Sequence, residues 1–173
     1  ASDVTVTNAG TIATQGLAAM GIVAQSIGAG GGFFAGSASA FAGTTIGGAT
    51  NKDSGGDAGS VTVSLAGSGS IATQGDGAFG VLAQSIGGGG GFLGDPTQSN
   101  WQRSNTSQPG LGTQGSIDAK RSNGNGADVT VSVPAGTSIV TTGRNAHGVF
   151  AQSVGGGGGV VSLASSSLVG SNA

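Results

Sequence analysis

One pattern occurs three times along the chain, and this limits the available folds more than any other feature. Residues 4–32 read VTVTNAGTIATQGLAAMGIVAQSIGAGGG, residues 61–91 read VTVSLAGSGSIATQGDGAFGVLAQSIGGGGG, and residues 129–159 read VTVSVPAGTSIVTTGRNAHGVFAQSVGGGGG. The copies begin at Val4, Val61 and Val129, 57 and 68 residues apart. Inside them, Ile12 to Gly21, Ile71 to Gly80 and Ile139 to Gly148 are each nine residues. Two variable inserts, 33–56 and 92–126, separate the copies.

Each copy opens on a strand pattern. Val4-Thr5-Val6-Thr7, Val61-Thr62-Val63-Ser64 and Val129-Thr130-Val131-Ser132 alternate apolar and hydroxyl side chains with period two. Ile12-Ala13-Thr14 and its counterparts follow, and then Gly-Ile/Val-x-Ala-Gln-Ser-Ile/Val-Gly from Gly21, Gly80 and Gly148, with Gly, Asn and Asp turn signals between. There is no Glu and only five Lys plus Arg, so the usual stock of soluble helices is missing and a helical bundle is excluded. With 36% hydrophobic residues, the chain is too apolar for a disordered one.

Short strands in a repeated register predict a chain that coils on itself, each turn stacking on the next at about 4.8 Å. One copy cannot bury its own apolar face, so neighbouring turns must cover it. The expected fold is all-β, a parallel β-solenoid over residues 1–173, with each copy supplying more than one turn. Hairpin sandwiches fit less well, because two-residue hairpin signals are scarce and the repetition would go unexplained.

The string G-x-I-x-T-x-G-x-x-A-x-G-I/V-x-A-Q-S-I/V-G-G-G-G-G, carried by residues 10–32, 68–91 and 136–159, resembles the passenger repeats of large adhesin-like bacterial autotransporters (type V secretion). The resemblance covers less than half of the chain. It implies a right-handed β-helix on an exported protein of the bacterial cell surface, with the signal peptide and outer-membrane barrel outside this chain. Heads of trimeric autotransporters also use short Gly/Ala/Ser-rich strands, but their shorter repeat fits these spacings less well.

Other functions meet specific obstacles. A net charge of −2 supplies no basic footprint for nucleic acid. The most apolar run, Leu17 to Ala24, stops at Gln25, far short of the roughly 20 residues a spanning helix needs. The glycine tracts suggest a phosphate cradle, but no GK[ST] follows them, and among 39 Gly about two G-x-G-x-x-G matches arise by chance. Their expected role is geometric: close backbone approach or positive φ. Asp53 and Asp57 flank Gly55-Gly56, and Asp95 follows Gly94, but neither arrangement recurs in the other copies as a calcium β-roll requires. No metal site and no cofactor is expected. His147, the single histidine, takes the place of Met20 and Phe79, which marks a stacking position rather than a general base. No enzyme is expected.

Two features point to contacts. If Ile22, Ala24 and Ser26 face the core, then Val23, Gln25 and Ile27 face away, as do Leu82, Gln84, Ile86 and Phe150, Gln152, Val154. Either the glycine-rich segment or an insert covers that face, or Val23, Ile27, Leu82, Ile86, Phe150 and Val154 form an exposed self-association stripe. The glutamines are expected to form amide ladders if their turns stack in register. The second insert holds the one Trp and three cationic residues, so Trp101, Arg103, Lys120 and Arg121 are the candidate contacts, unless Trp101 is buried as a cap. The expected role is attachment, without catalysis, to a host or matrix surface protein or glycan, or to copies of itself. A stalk or self-assembling fibre unit with no specific ligand is the alternative. Ice binding through ranked Thr5, Thr62 and Thr130 is disfavoured by the unequal inserts.

Overall fold

A computed structural model describes residues 1–35, 45–47, 56–94, 101–104, 116–118, 124–156 and 158–162. These residues form β-strands, turns and loops, with no helix among them. The first copy contributes β1 (Val4–Asn8), β2 (Thr11–Thr14), β3 (Ile22–Ile27) and β4 (Gly31–Ala35), followed in the first insert by β5 (Thr45–Gly47). The second contributes β6 (Val61–Leu65), β7 (Ser70–Thr73), β8 (Val81–Ile86) and β9 (Gly90–Gly94), followed in its insert by β10 (Trp101–Ser104) and β11 (Ser116–Asp118). The third contributes β12 (Val129–Ser132), β13 (Ser138–Thr141), β14 (Val149–Val154) and β15 (Gly158–Ser162).

Equivalent strands pair with one another. Four parallel ladders result: β1–β6–β12, β2–β7–β13, β3–β8–β14 and β4–β9–β15. The register follows the repeat without slippage, so that Val4, Val61 and Val129 align, as do Gln25, Gln84 and Gln152. Each copy is therefore one layer, with the second between the other two. This corrects the expectation of more than one turn per copy, since among the described strands every parallel pairing joins one copy or insert to another. The reason lies in strand number. Four strands already carry each copy along four successive ladders before the insert returns it to the first.

Regular structure also runs past the expected ends of the copies. β4 and β9 continue from the glycine tracts into residues 33–35 and 92–94, and the inserts pair with each other through β5 and β11. β10 turns back to run antiparallel on β15, the one antiparallel pairing among the described strands.

The core between the first three ladders follows from the alternation. Val61, Val63, Leu65, Ile71, Val81 and Ala83 of the middle layer are buried with Ile22 and Ala24, and Val4, Val6, Ile12, Val129, Val131 and Ile139 pack against them from the outer layers. The hydroxyls of Thr5 and Thr7 point outward. The third ladder is apolar on both faces because it is covered on both. Its far face meets the fourth ladder, where Phe79, Leu82, Phe92 and Val160 form a second cluster with Met20, Phe33 and Phe150 at its margin. All six residues of β8 are buried as a result, which explains why VLAQSI reads as a nearly continuous apolar run.

That second cluster settles the fate of the stripe. Leu82 and Ile86 are fully buried, Ile27, Phe150 and Val154 are half-buried, and only Val23 is substantially exposed. An exposed self-association stripe along this face is thus incorrect. The fourth ladder covers it, and burying an aliphatic side chain such as Leu82 contributes about 1.5–3 kcal/mol.

Candidate functional site

The glycine tracts are where sequence and geometry meet most tightly. Gly90 and Gly91 open β9 at φ +134° and +138°, a region closed to side chains of L-residues. A Cβ on Gly90 would stand 1.7 Å from the Gly158 oxygen, and one on Gly91 2.0 Å from the Gly32 oxygen. Only glycine on glycine permits this stacking. The amides of Gly90 and Gly158 donate to the carbonyls of Gly30 and Gly89 in the layer below, and those of Gly88 and Gly156 donate to Gly56 and Gly124 on the segments leading into their own copies, all at 2.8–3.0 Å. They are not held open as an anion cradle.

Polar side chains join the layers in columns. Gln25 Nε2 donates to Gln84 Oε1 at 2.6 Å, and Gln84 Nε2 donates to Gln152 Oε1 at 2.8 Å. This is the expected amide ladder, enclosed between the third and fourth ladders with Gln84 fully buried. Ser26, Ser85 and Ser153 form a parallel column. Their hydroxyls donate to the carbonyls of Ser2, Gly59 and Ala127 in their own layers at 2.8–2.9 Å. The first two also accept the N–H of Gly59 and Ala127 from the layer above, at 2.9 and 2.8 Å. In the first two layers one small hydroxyl thus serves both a carbonyl and an amide of the adjoining segments.

Aspartates do similar work at the turns. Asp3 Oδ1 accepts the Ser60 N–H at 2.7 Å, and Asp57 Oδ1 accepts the Asn125 N–H at 2.7 Å. Asp76 accepts the Arg144 N–H at 2.8 Å, and its other oxygen takes Nε and Nη2 of the same arginine at 3.0 and 2.8 Å. These side-chain hydrogen bonds are the main reason that the Asp76 carboxyl lies below, and the Arg144 guanidinium above, its ordinary value. The pair is solvent-exposed, so it contributes little to stability despite its geometry. Only alignment of the copies could have revealed it, because Leu17, Asp76 and Arg144 occupy equivalent places 68 residues apart in the pair itself.

His147 lies in the expected column with Met20 and Phe79. It is exposed, and its ring meets that of Phe79 edge-on at a centroid distance of 5.1 Å. Among the described residues, no group of three His, Cys, Asp or Glu residues is placed to hold a metal ion. Asp53 and Asp95 lie outside the described residues.

Of the proposed contact residues, Trp101 and Arg103 fall on β10, the edge strand of the fourth ladder, opposite Ser162 and Val160. Lys120 and Arg121 follow β11 and lie outside the described residues. The β5–β11 pair lies beside the fourth ladder. The second insert therefore contributes one strand to that ladder's edge and another beside it, a placement that its sequence did not disclose. Compared with protein-family models, with curated proteins and with solved structures, the chain gives no match.

Proposed function

We propose that this chain is a right-handed β-solenoid segment of an exported bacterial surface protein of the autotransporter type, acting in attachment without catalysis. The repeat strings support the family reading, and the succession of four ladders within every layer supports a coil. The observation that carries the attachment role is the location of the second insert. Its strand β10 lies at the edge of the fourth ladder and carries Trp101 and Arg103, so an element outside the repeat is held on a repeated scaffold. Trp and Arg are favoured contact anchors because they bring large contact area and directional hydrogen bonding. The partner is a host or matrix surface protein or glycan.

The test is to replace Trp101, Arg103, Lys120 and Arg121 together by Ala and measure retention on matrix-coated and glycan-coated surfaces. Substitution is preferable to removing the insert, which would take Phe92 from the second cluster. The reading expects attachment to fall at least about tenfold while the far-ultraviolet dichroism stays β-rich. Unchanged attachment would refute the contact assignment, and wild-type attachment no better than that of an inert protein would refute the role.

A further inference from the structure

Both inserts leave the stack from the fourth ladder, the first after β4 and the second after β9, and they meet again at one place. β5 pairs with β11 in parallel, with Thr45, Ile46 and Gly47 opposite Ser116, Ile117 and Asp118. The pairing joins the first layer's insert to the second layer's, in the same order in which β4 joins β9. The pair lies beside the fourth ladder, β5 next to β4 and β9, and β11 next to β9 and β15. It forms a short fifth rank outside the three repeated strings.

The two inserts reach that rank by different lengths of chain. Nine residues, 36–44, connect β4 to β5, whereas 21 residues, 95–115, connect β9 to β11. β10 falls inside the longer connection, and it pairs with β15 of the third copy. The strand that carries Trp101 and Arg103 is therefore part of a loop, with β9 before it and β11 after it. β9 is fixed by two neighbours of the repeat, β4 and β15. β11 has a single strand partner among the described residues, and that partner is β5. Closure of the loop thus depends on a three-residue strand in the other insert.

We propose that β5 is a positioning element for β10: by pairing with β11 it closes the loop that holds Trp101 and Arg103 at the edge of the fourth ladder, so that the first insert sets the contact strand of the second. The consequence for attachment rests on the contact assignment above; the ordering of β10 does not. Chain length supplies the magnitude. With β11 in place, 11 residues, 105–115, separate β10 from the next strand; with β11 lost, 24 residues, 105–128, separate it from β12. Closure probability falls as the three-halves power of loop length, so a doubling lowers it about threefold. The effect is at least this large, because β11 also lies beside β15, the strand with which β10 pairs.

Thr45→Pro with Ile46→Pro removes the ladder bond whichever of these adjacent residues donates to β11. Amide hydrogen exchange is read at 101–104, at 116–118 and, as an internal reference, at 81–86 of β8. The expected outcome is loss of protection at 116–118 and a fall of at least about threefold at 101–104, with 81–86 unchanged. The fluorescence anisotropy of Trp101, the one Trp, should fall with it. Ile46→Cys with Ile117→Cys is the opposite perturbation, since paired residues of adjacent strands lie within disulfide reach. Oxidised, that variant should protect 101–104 better than its reduced form does, a gain that general unfolding cannot produce. Three results would overturn the proposal: prolines that leave 116–118 protected, protection at 101–104 that survives the loss of β11, or a closed cysteine pair that protects 101–104 no better than the open one. None of these readouts needs a ligand, so a wild type that attaches to nothing refutes the attachment role and leaves the positioning of β10 to its own test.

Discussion

Three glycines of the first two tracts separate the reasons why those tracts are glycine. Gly30 has ordinary φ, and a Cβ there would meet nothing within 4 Å. Gly32 has φ +149° and equally open space, so an added methyl meets only backbone strain. Gly91 combines φ +138° with a Cβ position 2.0 Å from the Gly32 oxygen, well inside ordinary contact. Gly30→Ala should be neutral or stabilising by about 0.4–1 kcal/mol, since it narrows the unfolded ensemble. Gly32→Ala should cost about 1–3 kcal/mol, the range for a residue held in a disfavoured backbone region. Gly91→Ala adds overpacking of about 1–3 kcal/mol to that strain, for a total of about 2–6 kcal/mol, because β4 must shift from β9. Urea unfolding followed by far-ultraviolet dichroism, compared at equal slope, gives the three values. If Gly91→Ala were as mild as Gly30→Ala, the close stacking of tract on tract would be wrong.

Further outcomes follow from single columns. Gln84→Leu leaves the Gln25 donor and the Gln152 acceptor without their partner and should cost about 2–4 kcal/mol by urea unfolding, more than Gln25→Leu at the end of the ladder. Ser85→Ala orphans the Gly59 carbonyl and the Ala127 N–H and should cost about 1–3 kcal/mol in the same assay. Ala18 holds φ 54° where the other layers place Gly77 and Asn145, so Ala18→Gly should raise the thermal midpoint, relieving about 1 kcal/mol of left-handed strain. Because its folded value is depressed, Asp76 contributes stability above its unfolded value, and that contribution is lost as pH falls through the folded one. Carboxyl titration by nuclear magnetic resonance should show Asp76 moving up towards the ordinary range in Arg144→Ala, and no movement would contradict the ion pair.

Much of the scaffold was legible because it is repeated. The period-two runs at Val4, Val61 and Val129 and the constant spacing to Gly21, Gly80 and Gly148 marked three equivalent strands in each copy, though not that one copy makes a single layer, and the aligned glutamines anticipated an amide ladder on condition that the copies stack in register. The fourth ladder was hidden because its strands start inside the glycine tracts, where no side chain marks a period. The apolar pairs Phe33-Phe34, Phe92-Leu93 and Val160-Val161, each directly after a tract, were the available signal, and they look like the start of variable sequence. Counting Val23, Leu82 and Phe150 as outward was sound as alternation. It failed as a statement of exposure because a strand covered on both faces alternates between two cores. Nothing in WQRS indicates that β10 reverses onto a strand almost sixty residues away, since antiparallel pairing at an edge leaves no mark in a repeat.

The central claim is that the three copies lie on one another in register, and cysteine pairing tests it directly in a chain that has no cysteine of its own. Thr5, Thr62 and Thr130 align along the first ladder. Adjacent strands stand about 4.8 Å apart, within disulfide reach, whereas alternate strands stand about 10 Å apart and beyond it. The measurement is the disulfide yield by mass spectrometry after oxidation in dilute solution. Thr5→Cys with Thr62→Cys, and Thr62→Cys with Thr130→Cys, should each close within one chain, while Thr5→Cys with Thr130→Cys should not. Closure of the last pair as readily as the first two, or failure of both adjacent pairs, would contradict the stack.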